Sequence, residues 1–350
     1  LVVWLNAMIT AFDTVPDLGH RSIKAITAKS KAGYGLTVHA NHFVLCAGAL
    51  ETTRLLLEHD DRTNGSITSA GAPLGRYFSD HLSATCGHFH RHSLSRFNAA
   101  VAPIFDRGLM RTPRLEVSAA AQKAEGLPSA FAHVTFRTNG DTGFDVVRNF
   151  LRRRQGEQHE LGLSPQRLGR VVHDVTAMAY WRYARTRLWI PLEAEVVLQV
   201  DVEQVPNPDS RLRLSNERDS IGRKRLVVDW RITADDVAAI NKVTSLTANG
   251  WKNSRLCKVA DLQVVSERSF DAFETLYDVY HPTGTLRMGS AECNSVVDPN
   301  LRLWALDNCY VSTTAVFPSA GSANPGFTHL ALTARLAAHI AGQPQRAYVH

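Results

Sequence analysis

The sequence lacks an apolar run long enough to cross a lipid bilayer. Residues 188–200 form one of the longest apolar stretches, and Glu193 and Glu195 interrupt it. A helical span needs about 20 consecutive apolar residues. The apolar opening at residues 1–5 has no basic flank and no small-residue cleavage site, so it does not have the pattern of a secretory signal. These absences predict a chain without a membrane span, in the cytoplasm.

The cysteine pattern is also sparse. Five cysteines occur, with no CxxC pair, and an odd number argues against a complete disulfide framework. Cys46 and Cys309 lie in apolar, strand-like runs, so we expect both to be buried thiols. A reducing compartment is favoured.

Several catalytic signatures are missing. The sequence has no Walker A loop, HExxH pair, GxSxG elbow or kinase motif set, and no GxGxxG fingerprint after a strand. His88, His90 and His92 alternate and would share one face of a strand at metal-ligand spacing. They have no cysteine or carboxylate partner at suitable spacing. We therefore predict an exposed strand face there and no metal site.

The charge is moderately basic, with 39 Lys and Arg against 33 Asp and Glu and a net charge of +6. Much of the excess lies between Arg148 and Arg187, where aromatic residues are interleaved. No nucleic-acid motif accompanies these arginines, so we predict no nucleic-acid partner. The favoured interpretation is a solvated helical insertion whose arginine stems cover apolar surface. The alternative is a surface for an acidic redox partner or a membrane.

The chain reads as an α/β portion interrupted by an antiparallel one. Residues 2–12, 23–29 and 36–46 are predicted strands, and a helix-like run follows at residues 51–58. The middle is predicted to form an antiparallel sheet with helices on one face, inserted into the α/β portion. Its predicted strands are residues 115–120, 130–137, 194–205, 211–215 and 225–231, and Thr233 is predicted to cap a helix that runs to about Asn249.

The C-terminal part carries the strongest candidate for chemistry. His281 lies beside a proline in a glycine-containing loop, a placement that suits an acid/base group near neutral pH. Residues 310–316 are a predicted buried strand, followed by a small-residue loop at 319–323 and a helix to about Ile340. Asn324 and Pro325 have the chemistry of an N-cap followed by proline at the first helical position.

These segments together resemble the glucose–methanol–choline (GMC) oxidoreductase family. The resemblance rests on HPTGTLRMG (281–289), VVDPNLR (296–302), VFP (316–318), GSANP (321–325) and ALTARLA (331–337), and earlier on CAGALET (46–52), LGRYFSDH (74–81) and residues 206–230. It covers both ends of the chain and much of the middle, and it is weakest at residues 89–189.

The resemblance implies an FAD-dependent enzyme that acts on the CH–OH group of an alcohol or sugar. Such enzymes pass hydride from the alcohol carbon to flavin N5 while a histidine takes the hydroxyl proton. Matched by motif, His281 is that base, and Asn324 is the residue that hydrogen-bonds the same oxygen. The electron acceptor is unknown.

The implied fold is α/β (α+β overall): an incomplete Rossmann-like FAD-binding domain plus a substrate domain with an antiparallel sheet and helices on one face. The expected divisions are the rear part of the FAD-binding domain at residues 1–80, a substrate-binding domain at 81–275, and a histidine loop with the return to the FAD-binding domain at 276–350.

The resemblance also implies where FAD is held. Small residues permit close backbone approach, and helix N-termini favour the anionic edge of a reduced flavin. The expected cofactor-binding residues are Ala47, Gly48, Ala49, Thr313, Thr314, Asn324, Pro325, Gly326 and Phe327. For Asn324 a plain capping role is the alternative, and for residues 47–49 it is helix–strand packing.

The sequence departs from the family pattern in four respects. Thr53 stands where proline is usual, His59-Asp60 where Ser-Gly is usual, and Thr313 where an aspartate is often found, which puts the cofactor role of Thr313 in doubt. The family's dinucleotide fingerprint has no equivalent here, so we expect a fragment of a longer enzyme that by itself binds FAD weakly or not at all. A flavin-dependent lyase and a non-catalytic truncated remnant are the alternative functions.

Overall fold

The computed structural model describes residues 1–17, 20–140, 142–154, 165–265 and 276–342. Two compact units share the chain. Unit 1 comprises Leu1–Leu82, Glu203–Thr233 and Asp278–His350, and unit 2 comprises Ser83–Val202 and Ala234–Tyr277. Glu203–Thr233 thus cluster with unit 1, whereas the sequence places them in the middle region. The expected domain divisions stay a prediction.

The strands are, in chain order, β1 (Met8–Asp17), β2 (His20–Lys29), β3 (Gly35–Val38), β4 (Phe43–Leu45), β5 (His81–Arg91), β6 (Ile104–Asp106), β7 (Leu109–Arg111), β8 (Arg114–Glu116), β9 (Ala130–Arg137), β10 (Glu195–Glu203), β11 (Arg211–Arg218), β12 (Lys224–Asp229), β13 (Ala260–Val264), β14 (Leu276–Asp278) and β15 (Cys309–Val311). The α-helices are α1 (Gly48–Arg62), α2 (Leu94–Val101), α3 (Ala119–Glu125), α4 (Gly143–Arg154), α5 (Pro165–Tyr183), α6 (Ala234–Lys252) and α7 (Gly326–Ala341).

Unit 1 combines antiparallel and parallel pairing. Strands β1, β2 and β3 form an antiparallel sheet, β11 and β12 form a hairpin, and β4 pairs in parallel with β15. The apolar faces of these elements meet in one core. Its members include Phe12, Ile23, Leu45, Leu56, Leu286, Val311 and Leu336. This core joins the N-terminal α/β segment to the segment that carries the histidine loop.

Unit 2 contains a six-stranded sheet in the order β13-β5-β10-β9-β8, with β14 also paired to β5. Helix α6 packs against β9 and β13. Strand β10 is buried along most of its length, and Leu198 and Val200 have no exposed surface. Strand β9 has the predicted bounds. The mixed α/β class and the antiparallel sheet of the middle region are confirmed.

Several predicted elements have different ends. Strand β1 begins at Met8 rather than Val2, and the predicted strand at residues 36–46 divides into β3 and β4. Residues 115–120 end as a strand at Glu116, because the Ser118 hydroxyl accepts a hydrogen bond from Ala121 N (3.2 Å) and begins α3. In each case a local turn or cap overrides the β propensity of the run.

The segment at 310–316 also differs from its prediction. Strand β15 ends at Val311, and Thr314–Val316 form a 3-10 helix. The Thr313 hydroxyl caps that helix by accepting from Ala315 N at 3.2 Å. Hydroxyl capping competes with the ladder hydrogen bonds of a strand, so the strand stops where the cap begins.

Candidate active site

The histidine loop, residues 280–289, is tied to the chain by one buried carboxylate. The backbone N–H of His281 donates to both oxygens of Asp80, at 3.0 and 2.9 Å. Asp80 also accepts from the backbone N–H of His81 at 2.7 Å. A carboxylate that accepts several backbone N–H groups fixes their positions strongly. Asp80 therefore holds two histidine backbones at one point.

Asp80 is only 3% exposed, and burial raises the pKa of its carboxyl group. The backbone N–H groups of His281, His81 and Val279 oppose that shift by stabilising the charged form, while the negative charge of Asp278 adds to it. The net direction is upward, so desolvation outweighs the hydrogen bonds.

The two imidazole rings lie in contact. His81 Nδ1 and His281 Nδ1 are 3.4 Å apart, and the ring centroids are 5.1 Å apart in an edge arrangement at 71°. His81 is buried, whereas His281 is partly exposed. With Nδ1 of His281 turned to His81, Nε2 is the nitrogen that a ligand can reach.

Further hydrogen bonds hold the loop in register. Thr283 and Ser79 exchange two backbone hydrogen bonds, at 2.8 and 3.2 Å. The hydroxyl of Thr314 donates to Pro282 O at 2.7 Å. Thr314, predicted to bind the cofactor, therefore also anchors the loop that carries the predicted base.

Thr53 is a second anchor that sequence reasoning noted only as a departure. Its side chain has no exposed surface, and its hydroxyl lies 2.7 Å from Ala49 O and 2.8 Å from the hydroxyl of Thr285. Proline at this position would have no hydroxyl to make the link to Thr285. Thr53 therefore connects α1 directly to the histidine loop.

The predicted cofactor residues 47–49 lie where β4 ends and α1 begins. Ala47 and Gly48 are exposed and Ala49 is buried. Gly48 has φ +78°, and a Cβ added there would have no atom within 4 Å. Glycine is needed for this left-handed conformation, and the space beside it is open. The arrangement permits close approach of a flat ligand to the backbone.

Ser312 joins the ends of the parallel strands to α7, and sequence reasoning missed it. Its hydroxyl lies 2.7 Å from the Thr333 hydroxyl and 3.4 Å from His329 Nε2. Cys46, which follows β4, also hydrogen-bonds Ser312. Ligands of parallel α/β sheets bind outside the carboxyl ends of the strands, and this is such an edge. In the sequence, only the polar run at 312–314 after a buried strand could have indicated a role for Ser312 at this edge.

Cys46 differs from its prediction, whereas the cofactor role of Thr313 stays a prediction. Cys46 is exposed rather than buried, because it lies beyond the last residue of β4. Its thiol group is nevertheless partly enclosed, and this partial burial raises the thiol pKa, while the Ser312 hydrogen bond opposes the rise. Thr313 is buried with its hydroxyl engaged in capping. Cys309 is buried as predicted.

The start of α7 lies one residue later than predicted. Pro325 is the N-cap, without a side-chain capping hydrogen bond, and the helix begins at Gly326. Asn324 therefore does not cap the helix; it is exposed and lies just outside it. The plain capping role is wrong, and the amide is left available to a ligand.

The loop before Asn324 is held by Glu203. This carboxylate is 9% exposed and accepts hydrogen bonds from the Ser319 hydroxyl and from Gly321 N, the latter at 2.8 Å. A buried carboxylate thus holds the backbone at His281 and another holds it in the loop before Asn324.

The residues present fit the flavin ring of FAD. Gly48 leaves open space, and the first turn of α7 has exposed residues at Gly326 and Phe327 with no side-chain cap on its N–H groups. Uncapped N–H groups at a helix N-terminus suit a ligand that becomes anionic. Pro325 is buried and serves to set the helix start.

The alternating histidines do not converge. His88 contacts Glu195 (3.1 Å), His90 contacts Gln263 (3.1 Å) and His92 contacts Asp261 (2.9 Å). Within the described ranges, no group of three or more metal-ligating side chains could hold an ion. Nor does any helix in these ranges have the length and apolar character of a membrane span.

The Arg-rich region is helical over most of its described residues, in α4 and α5. Arg152, Arg153 and Arg154 end α4 with exposed side chains, and Arg182 in α5 stacks on Phe105 at 3.6 Å. Residues 155–164 of this region lie outside the described residues. A redox partner or membrane surface there stays a prediction.

Comparison with known proteins agrees with the family resemblance of the sequence motifs. The family model described as GMC oxidoreductase, its C-terminal part, matches residues 206–333. Paromamine 6'-oxidase of Streptomyces fradiae is 29% identical over 42% of this chain and 26% of its own length. Choline oxidase of Arthrobacter globiformis is 31% identical over 29% of this chain and 19% of its own length.

Solved structures share the fold at low identity. Pyridoxine 4-oxidase from Mesorbium loti superposes with a TM-score of 0.50 at 16% identity, covering 93% of this chain and 56% of that one. Formate oxidase from Aspergillus oryzae RIB40 gives 0.52 at 16% identity, covering 95% and 59%. The chain thus spans less than two thirds of the length of these proteins. Residues 206–333 thus match the C-terminal domain of the GMC oxidoreductase family.

Proposed function

We propose that this chain forms part of an FAD-dependent oxidoreductase acting on the CH–OH group of a small-molecule alcohol or sugar, with His281 as the base. The observation that carries the proposal is the histidine loop itself. Asp80 holds the His281 backbone, and His81 engages its Nδ1, so Nε2 is directed to a ligand. Relatives named for choline, paromamine and pyridoxine support an alcohol as donor.

The residues of this chain would act as follows. Bound FAD supplies the acceptor for the hydride that leaves the alcohol carbon. His281 Nε2 takes the hydroxyl proton, which makes departure of that hydride favourable. The Asn324 amide donates a hydrogen bond to the same oxygen and orients it without competing for the proton. Ala47, Gly48 and the first turn of α7 would hold the flavin ring.

The test uses the FAD-loaded protein that contains this chain, mixed anaerobically with candidate alcohols. We expect the flavin to bleach, and His281→Ala to slow bleaching by about 10²- to 10⁴-fold, the usual contribution of general acid/base catalysis. His39→Ala is the matched control, because His39 is exposed.

Two outcomes would contradict the proposal. Product formation without flavin bleaching would favour a lyase that uses a redox-idle flavin. Bleaching that proceeds at the wild-type rate in His281→Ala would remove His281 as the base.

A further inference from the structure

We propose that His81 is a positioning residue that sets the proton arrangement of His281. In this arrangement His281 carries its proton on Nδ1 and donates it to the Nδ1 lone pair of His81. The inference rests on the proposed function in one respect, the need for a base at Nε2. Its physical content, the tautomer of His281, can be measured in the absence of any reaction.

The geometry restricts the choices. The Nδ1–Nδ1 distance of 3.4 Å and the edge arrangement of the rings place one N–H between two nitrogens. Two neutral imidazoles can share that position in two ways, because each neutral ring has one donor and one acceptor nitrogen. Either His281 donates and keeps a lone pair on Nε2, or His81 donates and His281 is protonated on Nε2.

Only the first arrangement leaves His281 able to accept a proton from a substrate. The lone pair of Nε2 takes the hydroxyl proton, and the ring becomes an imidazolium while the Nδ1 proton stays on His281. The positive charge then strengthens the hydrogen bond to His81, because a charged donor binds more strongly than a neutral one. No other proton acceptor is needed for this step.

Asp80 makes the pairing rigid. Its carboxylate accepts hydrogen bonds from the backbone N–H groups of both His81 and His281, so one side chain fixes the backbone at both rings. Asp278 is the other acidic group acting on Asp80, and the neighbouring Tyr280 is 84% exposed. A negative charge beside the pair also favours the imidazolium that forms on His281.

His281 and His81 therefore act as a base and the residue that orients it. The orienting group is a buried imidazole rather than a carboxylate. A neutral acceptor sets the tautomer without a fixed charge. His81 contacts His281 rather than the reacting atoms, so it acts only through His281.

Histidine-selective ¹⁵N labelling and long-range ¹H–¹⁵N spectra test the tautomer directly. Spectra are taken at about pH 8, above the ordinary imidazole pKa of about 6.5, and His281→Asn identifies the signals of His281 among the 15 histidines. We expect the Nδ1–H form in the wild type. A wild-type His281 protonated on Nε2 would overturn the proposal, whatever the enzyme activity.

Two substitutions at His81 separate positioning from simple packing. His81→Leu removes the acceptor, and His81→Asn replaces it, since the Asn carbonyl oxygen can occupy the place of Nδ1. In His81→Leu we expect a mixture of His281 tautomers and a fall of about 10²-fold in kcat/KM. We also expect the acid side of the pH profile of kcat/KM to differ from that of the wild type. His81→Asn should keep the Nδ1–H form and recover most of the rate.

The control is His59→Leu, which also deletes a buried imidazole of unit 1 but should leave the His281 signals unchanged. Retention of a pure Nδ1–H tautomer in His81→Leu would refute the positioning role. Wild-type bleaching in His281→Ala combined with an Nδ1–H signal would instead reject the proposed base and leave the pairing intact.

Discussion

Asp80 and His59 are buried titratable residues whose pKa values move in opposite directions for the same reason. Burial disfavours the charged form, which raises the pKa of a carboxyl group and lowers that of an imidazole. His59 is 1% exposed and packs edge-on to Phe12 at 5.4 Å. Burial, followed by the charge of Arg62, lowers the pKa of His59 to about 4.

The first prediction concerns the stability of the chain in mild acid. Between about pH 6.5 and pH 4 the unfolded chain protonates His59 and the folded chain does not, so the unfolding free energy falls as the pH falls. The loss from His59 is at most about 3 kcal/mol. His59→Leu should lose less stability than wild type between pH 7 and pH 5 in urea unfolding.

His39→Leu is its control, since His39 is exposed and its loss should leave the pH dependence unchanged. An equal acid loss in His59→Leu and wild type would show that another group is responsible.

The second prediction concerns Asp80. Asp80→Ala leaves the backbone N–H groups of His281 and His81 without their acceptor, which should cost about 1–3 kcal/mol of unfolding free energy. Asp80→Asn keeps one acceptor oxygen and should cost less.

The raised pKa of Asp80 also predicts a pH dependence. Wild-type stability should decline as the pH rises through the window just above the carboxyl pKa of the unfolded chain, and Asp80→Asn should lack this decline.

Urea unfolding across that pH range measures both effects. Asp209→Asn is the control, because the Asp209 side chain is 59% exposed and pairs with Arg76 at the surface. Equal stability of Asp80→Ala and wild type would show that the hydrogen bonds from His81 and His281 to Asp80 contribute nothing to the unfolding free energy.

At the scale of elements, the histidine loop depends on one glycine. Gly284 has φ +88°, and a Cβ there would lie 2.0 Å from the backbone oxygen of Tyr77. The turn and the close approach both need a residue without a side chain. The sequence shows the glycine, but only the packing of residue 77 against it explains why no other residue fits.

The third prediction compares two glycines of similar φ. Gly284→Ala should lower the unfolding free energy by more than about 2 kcal/mol and slow flavin reduction. The backbone strain of a positive φ and the clash of the new Cβ with Tyr77 both contribute to this cost. Gly33→Ala, at φ +89° with nothing within 4 Å, should cost only about 1 kcal/mol and leave the rate unchanged. Equal costs measured by thermal and urea unfolding would show that the Tyr77 contact relaxes.

At the scale of the whole chain, unit 1 is assembled from three sequence segments, and ion pairs connect two of them. Arg223 on the β11–β12 hairpin is 5% exposed and pairs with Glu51 and Glu58 of α1, its Nε lying 2.9 Å from Glu58. Arg54 pairs with Asp219 at 2.6 Å. Burial opposes the ionisation of Asp219, but the Arg54 hydrogen bond prevails and lowers its pKa to about 2.

The fourth prediction is that the buried pair matters and an exposed one does not. Arg223→Ala leaves Glu58, whose side chain is only 11% exposed, without its main partner, which should cost about 3–5 kcal/mol. Arg225→Ala breaks an exposed pair with Glu217 and should cost less than about 1 kcal/mol. Urea unfolding measures both, and a small cost for Arg223→Ala would show that Glu58 finds solvent or another cation.

Local patterns carried much of the prediction at this scale. The strand-like run at 130–137 and the cap at Thr233 predicted β9 and α6. The same propensities failed at 115–120 and 310–316, where a serine and a threonine hydroxyl each cap a helix within a β-prone run. A cap depends on the conformation of one backbone position, and β propensity does not report it.

The order of residues was sufficient to show the histidine loop, its resemblance to the GMC oxidoreductase family and the chemistry expected of His281, because a motif is a local property of the chain. Folding decided which distant groups meet it. Asp80 reaches His281 across 201 positions, and Thr53 reaches Thr285 across 232. Such contacts depend on how the core of unit 1 packs and on the free energy that offsets the entropy of closing long loops, neither of which is written in any short stretch of sequence.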